Sequence, residues 1–143
     1  MNSIDESHLR RAIELARLAR NTGDAPFGSL LVDQSGAVVT ETHNTVLSER
    51  DISAHPEFKI ACWVARQMSA DAAAKATLFT SCQPCEMCSG AIDRSGIGRV
   101  VYALSEARLN EIRGHAGYPK VPQFGPYLHE ASADPVRDYY KAR

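Results

Sequence analysis

No basic tract runs through the 143 residues of this chain, and its 16 lysines and arginines are offset by 17 aspartates and glutamates, giving a net charge of −1. A protein that grips a polynucleotide backbone clusters its cations to displace counterions, so a long nucleic acid is not the expected partner. Also missing is any apolar run near the roughly 20 residues needed to span a bilayer, and no membrane role is expected. The opening residues Met1-Asn2-Ser3-Ile4-Asp5-Glu6 are polar and acidic, unlike a secretory signal. Repeats, low-complexity tracts and Gly/Ser linkers are absent, and residues 1–143 are expected to form a single domain. Cysteine is sparse at four residues, yet Cys82, Cys85 and Cys88 fall within seven positions. Without a secretory leader, such crowding points to metal or redox chemistry rather than a disulfide framework, and to the cytoplasm.

What is present is an ordinary apolar fraction of 44%, sufficient for one core, and a clear alternation of patterns. Leu9, Ala12, Ile13, Ala16 and Ala19 recur at helical spacing over 5–20, and Asn21-Thr22-Gly23-Asp24 stops that helix. Residues 27–32 and 37–45 read as strands joined by the turn Asp33-Gln34-Ser35-Gly36. A second helix is expected from about Ala54 to Met68, with Pro56 in its first turn. Then come a strand at 76–81, a helix opened by Pro84 and closed by Gly96, and a strand at 99–104. A helix at 105–113 follows, with Ser105 as N-cap. The segment 114–126 reads as a long loop, and 134–141 as a short closing helix with Pro135 in its first turn. This order is met economically by an α/β fold, helices on both faces of a mixed sheet.

The chemistry concentrates in His55-Pro56-Glu57 and Pro84-Cys85-Glu86-Met87-Cys88. Cysteines three apart on a helix share a face, and a first helical turn favours thiolates over thiols. Two thiolates and a neutral imidazole suit Zn²⁺, and three protein ligands leave the fourth tetrahedral position open, as catalysis requires. Glu57, two residues from His55, is then placed to move protons.

At these residues the chain resembles the cytidine deaminase-like superfamily, in its small guanine, cytosine and tRNA-adenosine deaminase branch. Similar segments are Ala25-Pro26-Phe27-Gly28, His43-Asn44, His55-Pro56-Glu57 and the run from Thr80 to Ile92. The resemblance implies a three-layer α/β/α sandwich, a homodimer, and zinc on His55, Cys85 and Cys88. It also implies Glu57 as proton shuttle, Asn44 as a hydrogen-bond partner of the substrate ring, and Phe27 as a packing surface for it. Pro56 departs from the alanine of many members of that branch, and a proline there is expected to leave the flanking side chains in place. The substrate implied is a small aminated heterocycle: a guanine- or cytosine-class base, a pterin or a triazine. Guanine deaminases carry a carboxylate pair where this chain has Arg113-Gly114-His115-Ala116, and Asp138-Tyr139-Tyr140 only partly echoes the C-terminus of cytosine deaminases. A tRNA adenosine deaminase is the alternative, and the charge balance speaks against it.

Plainer roles compete. Cys82, three residues before Cys85, would complete a closed Cys₃His structural site if it turned toward the metal. As the end of a strand, it is expected to line the wall instead. Cys62 reads as packing, Glu86 as a favourable charge at a helix start, and His43, His115 and His129 as surface groups. Tyr139 and Tyr140 read as packing residues of the last helix, with closure of an active site as the secondary role.

Overall fold

The computed structural model describes residues 2–143 and builds the core on one four-stranded sheet. Its strands are β1 (Gly28–Val32), β2 (Val38–His43), β3 (Thr77–Cys82) and β4 (Arg99–Leu104), in the order β2-β1-β3-β4. β1 pairs antiparallel with both β2 and β3, whereas β3 and β4 run parallel, so the sheet is mixed. The β1–β2 turn closes because the Asp33 carboxylate accepts from the Ser35 and Ala37 amides and Gly36 takes a φ of 90°.

Helix α1 (Ser3–Asn21) covers one face, its start fixed by Asn2, which accepts from the Asp5 amide at 2.8 Å. Leu9, Ala12 and Leu15 pack there against Leu30, Val32 and Phe79. The buried stripe includes Leu15, with Ile13 only half-buried, so the apolar face is turned slightly from the expected one. Approach is close: a Cβ on Gly28 would lie 2.4 Å from the Ala12 carbonyl oxygen.

Helices α3 (Pro56–Gln67) and α5 (Glu86–Ser95) cover the other face, where Leu31, Leu78, Ile60, Val64 and Ile92 form a second apolar cluster. Helices on both sides of the sheet make the expected α/β/α sandwich. Two short helices carry too little periodicity to be read beforehand. α2 (Val46–Glu49) is held by side-chain oxygens of Asn44 and Asp24, and α4 (Ala70–Ala74) is capped by Ser69.

Beyond β4 lie α6 (Glu106–Arg113), capped by Ser105 as expected, and α7 (His129–Lys141). α7 begins five residues before the expected boundary at 134, so Pro135 sits inside the helix rather than in its first turn. An interior proline withholds one amide and crowds the carbonyl four residues back, which is less costly on a helix with no buried residue. No described helix is long and apolar enough to cross a membrane.

Candidate metal centre and its surroundings

Both helices that carry the sequence motif start at the same end of the sheet. His55 is the N-cap of α3 and adopts extended backbone, and Pro56 follows as the first helical residue. Its fixed φ and missing amide suit that place, so proline here sets the helix start without breaking it. α5 begins at Glu86, making Cys85 its N-cap rather than a residue of its first turn, with Cys88 three residues on. The spacing still brings both sulfurs together.

The ligand atoms of His55, Cys85 and Cys88 lie within 4.8 Å of one another, the one such cluster among the described residues. His55 Nδ1 is 3.8 Å from Cys85 Sγ and 3.5 Å from Cys88 Sγ. A tetrahedral zinc with Zn–S near 2.3 Å and Zn–N near 2.0–2.1 Å would set nitrogen–sulfur edges of about 3.6 Å. The donor set therefore fits zinc in both softness and spacing. Cys82 is buried at the end of β3 and does not join the cluster, so the Cys₃His arrangement is not formed.

The titration of these groups follows from their contacts. Cys88 donates to Cys85, which lowers the Cys85 pKa to about 4, with His55 adding to the effect. The same contact, with burial, holds the Cys88 thiol protonated well above its ordinary range. His55 is raised, first by its bond to Cys85. Burial pushes the Cys82 thiol to about 11, as suits a wall residue.

Glu57 occupies the first turn of α3 with only 6% of its surface exposed. Burial raises its pKa to about 7, against the opposing pull of its own backbone amide, of His55 and of the Ser29 hydroxyl. Ser29 lies beneath it, fully buried on β1, and its oxygen is 2.8 Å from Thr80 Oγ1 on β3. Strand alternation sets Ser29 on the same sheet face as Leu31, and Thr80 on that of Leu78. The α3–α5 face is thus apolar at one end and hydroxylated at the other.

Asn44 follows directly on β2 and is buried. Its amide donates to the Phe27 carbonyl at 2.9 Å, and its side-chain oxygen accepts from the Val46 amide at 3.0 Å. An amide donor requires an oxygen opposite it, which fixes the side-chain orientation and leaves Nδ2 as the free edge. Phe27 is half-buried and precedes β1 instead of opening it. The adjoining Thr45 amide donates to the carbonyl of Ala54, the residue before His55, at 3.1 Å. Lys59, from α3, donates to the His43 carbonyl at 2.7 Å and to Thr45 Oγ1 at 3.0 Å.

Other residues stand apart. Cys62 is half-buried rather than core. His43 is half-buried with Nδ1 3.2 Å from the Asn44 carbonyl oxygen, and His115 and His129 are exposed. Tyr139 and Tyr140 stack edge to face at 4.9 Å but are exposed, so packing on the body of the same chain is not their role. Ser29 and Lys59 went unread in the sequence, and Thr80 was noted only as the start of a similar run. A lysine within the otherwise apolar Phe58-Lys59-Ile60 was the available signal for Lys59.

Comparison with known proteins places this arrangement. Over 153 aligned residues the chain is 31% identical to a probable cytosine deaminase of Schizosaccharomyces pombe, with 95% of this chain and 92% of that protein covered. It is 32% identical over 111 residues to the tRNA-specific adenosine deaminase of Haemophilus influenzae, covering 78% of this chain and 64% of that protein. The crystal structure of guanine deaminase from Bacillus subtilis superposes with a TM-score of 0.76 at 29% identity, covering 99% of this chain and 95% of that one. Residues 2–104 match the model of the cytidine and deoxycytidylate deaminase zinc-binding region, a span that includes the whole histidine–cysteine cluster. The chain belongs to this family of zinc-dependent deaminases.

Proposed function

We propose that the protein hydrolyses the exocyclic amine of a free nucleobase or a related aminated heterocycle such as a pterin or triazine, releasing ammonia. The observation that carries this reading is a three-ligand cluster with a buried carboxyl two residues from one ligand. His55, Cys85 and Cys88 would hold zinc, which would supply a Lewis acid able to bring the pKa of water to roughly 7. Every later proton step falls to Glu57. As a carboxylate it takes a proton from the attacking water, and as an acid it returns that proton to a ring nitrogen and then to the amine. The water oxygen bonds to the amine-bearing carbon, the carbon–nitrogen bond breaks, and ammonia departs as a carbonyl remains. In the metal-free chain burial raises the Glu57 pKa to about 7, and a nearby zinc cation would draw it back toward the carboxylate that accepts the first proton.

Asn44 presents Nδ2 as a donor, so the substrate offers it an acceptor, a ring carbonyl oxygen or an unprotonated ring nitrogen. Phe27, bonded through its carbonyl to Asn44, supplies an apolar surface for the ring. Guanine- and cytosine-class bases both present an acceptor near the reacting amidine carbon. Similarity to a probable cytosine deaminase and to a guanine deaminase supports a base of one of these classes.

A homodimer is part of the same proposal. The segment after β4 leaves Tyr118, Phe124, Tyr127, Leu128 and Tyr140 more than two-thirds exposed, an apolar surface that a second copy would cover. The four free thiols suit a reducing compartment such as the cytoplasm.

The test is ammonia release from guanine, cytosine, adenine, their nucleosides, pterins and triazines. Glu57→Gln should lose about 10²–10⁴-fold in turnover while keeping zinc. Fully zinc-loaded enzyme that releases no ammonia from any of them overturns the proposal. RNA binding that weakens steeply with salt would favour a tRNA substrate instead.

A further inference from the structure

We propose that Lys59 is a positioning residue for substrate recognition, tying the His43 carbonyl to the Thr45 hydroxyl across Asn44 and thereby fixing where the Asn44 side-chain amide points. The inference rests on the reading of Asn44 as the donor that meets the substrate ring. Lys59 Nζ donates to the carbonyl of His43 and to the hydroxyl of Thr45, the two residues that flank Asn44. One ammonium, with three hydrogens to give, thus spans the residue from below.

The clamp has work to do at this place. β2 is an edge strand, and its last residues have strand support on one side only. Beyond His43 the chain leaves the ladder for the short helix α2. Asn44 itself is tied at its amide, its carbonyl and its side-chain oxygen. Among the described residues Nδ2 is the polar atom of Asn44 without a partner. Any rotation of the 43–45 backbone would therefore appear directly as movement of that donor.

Lys59 also indexes the loop to the reacting centre. It lies on α3 four residues after His55 and two after Glu57, on the helix that sets both. Burial tends to neutralise its ammonium, and the carboxylates of Glu49, Asp24 and Asp51 oppose this. The acids come from α2, from the turn after α1 and from the turn before α3. A neutral isostere would keep the stem's packing and lose both bonds.

The experiment is a kinetic double-mutant cycle on zinc-loaded enzyme, using the base with the highest ammonia release. Lys59→Met should raise KM about tenfold with kcat changed by less than about threefold, because binding rather than proton transfer is affected. Asn44→Ala should raise KM at least as much, and adding Lys59→Met to it should cost less than about twofold more. Lys59→Arg, which keeps charge and donors, should return KM to within about threefold of wild type. Thr45→Val, which removes one anchor, provides the same test should Lys59→Met fail to fold. Additive losses in the cycle, or a wild-type KM for Lys59→Met beside an impaired Asn44→Ala, would overturn the clamp. A wild-type KM for Asn44→Ala would instead remove the substrate role of Asn44, and the clamp with it.

Discussion

Removing the Glu57 charge should stabilise the metal-free protein, and by an amount that depends on pH. Its carboxyl has an ordinary pKa of 4.5 and is raised to about 7 in the folded chain, chiefly by burial. Below pH 4.5 the carboxyl is neutral in both folded and unfolded chains and adds nothing to the balance. Between 4.5 and 7 the unfolded chain ionises first, so stability falls as pH rises. Above 7 the penalty is complete, at about 3 kcal/mol from roughly 1.4 kcal/mol per unit of pKa difference. Glu57→Gln keeps the shape and removes the titration. In urea denaturation of the chelated proteins at pH 5, 6, 7 and 8, the variant should lead wild type by no more than about 1 kcal/mol at the acid end. It should gain steadily to a few kcal/mol by pH 8. A difference that stays flat across this range would show that burial does not raise the Glu57 carboxyl in the metal-free protein.

Four further outcomes are expected. Cys85→Ser should lose zinc measured by plasma emission, whereas Cys82→Ser should retain it, because only the former belongs to the ligand cluster. Zinc binding at pH 7 in weak buffer should release at least about one proton, since Cys88 enters the reaction as a thiol, and affinity should rise with pH. Gly28→Ala should destabilise the fold by about 3 kcal/mol or more in urea, because its Cβ would meet backbone atoms of Ala12 and Ala16 at 2.4 and 2.6 Å. Asp24 is held below its ordinary pKa, first by the Ser48 amide, so its contribution is present above about pH 4 and lost as pH falls through the lowered value. Asp24→Asn should accordingly flatten the acid limb of the stability curve.

The parts of the fold governed by local rules were legible. Helical spacing marked α1, Asp33-Gln34-Ser35-Gly36 marked the hairpin, and Gly96 and Ser105 marked a helix end and a helix start. His55, Glu57, Cys85 and Cys88 were gathered from the spacing within two short motifs and the resemblance those motifs carry, and the structure sets all four at or within the first turn of a helix. Ser29 and Thr80 could not, since their partnership depends on the register between β1 and β3. Lys59 likewise needed the fold that carries the end of β2 beneath α3. α7 ran past its expected start because an exposed helix tolerates Pro135, a rule of environment that sequence alone does not disclose.

The division of the α3–α5 sheet face into oily and hydroxylated ends has an outcome for how such a protein can change. Leu31 and Ser29 are two positions apart on one strand, as are Leu78 and Thr80 on its neighbour. Walking substitutions along either strand should therefore cross, within a single pleat, from sites that lose apolar packing to sites that strand a buried hydroxyl without its partner. One pleat thus separates two different ways of weakening the same sheet.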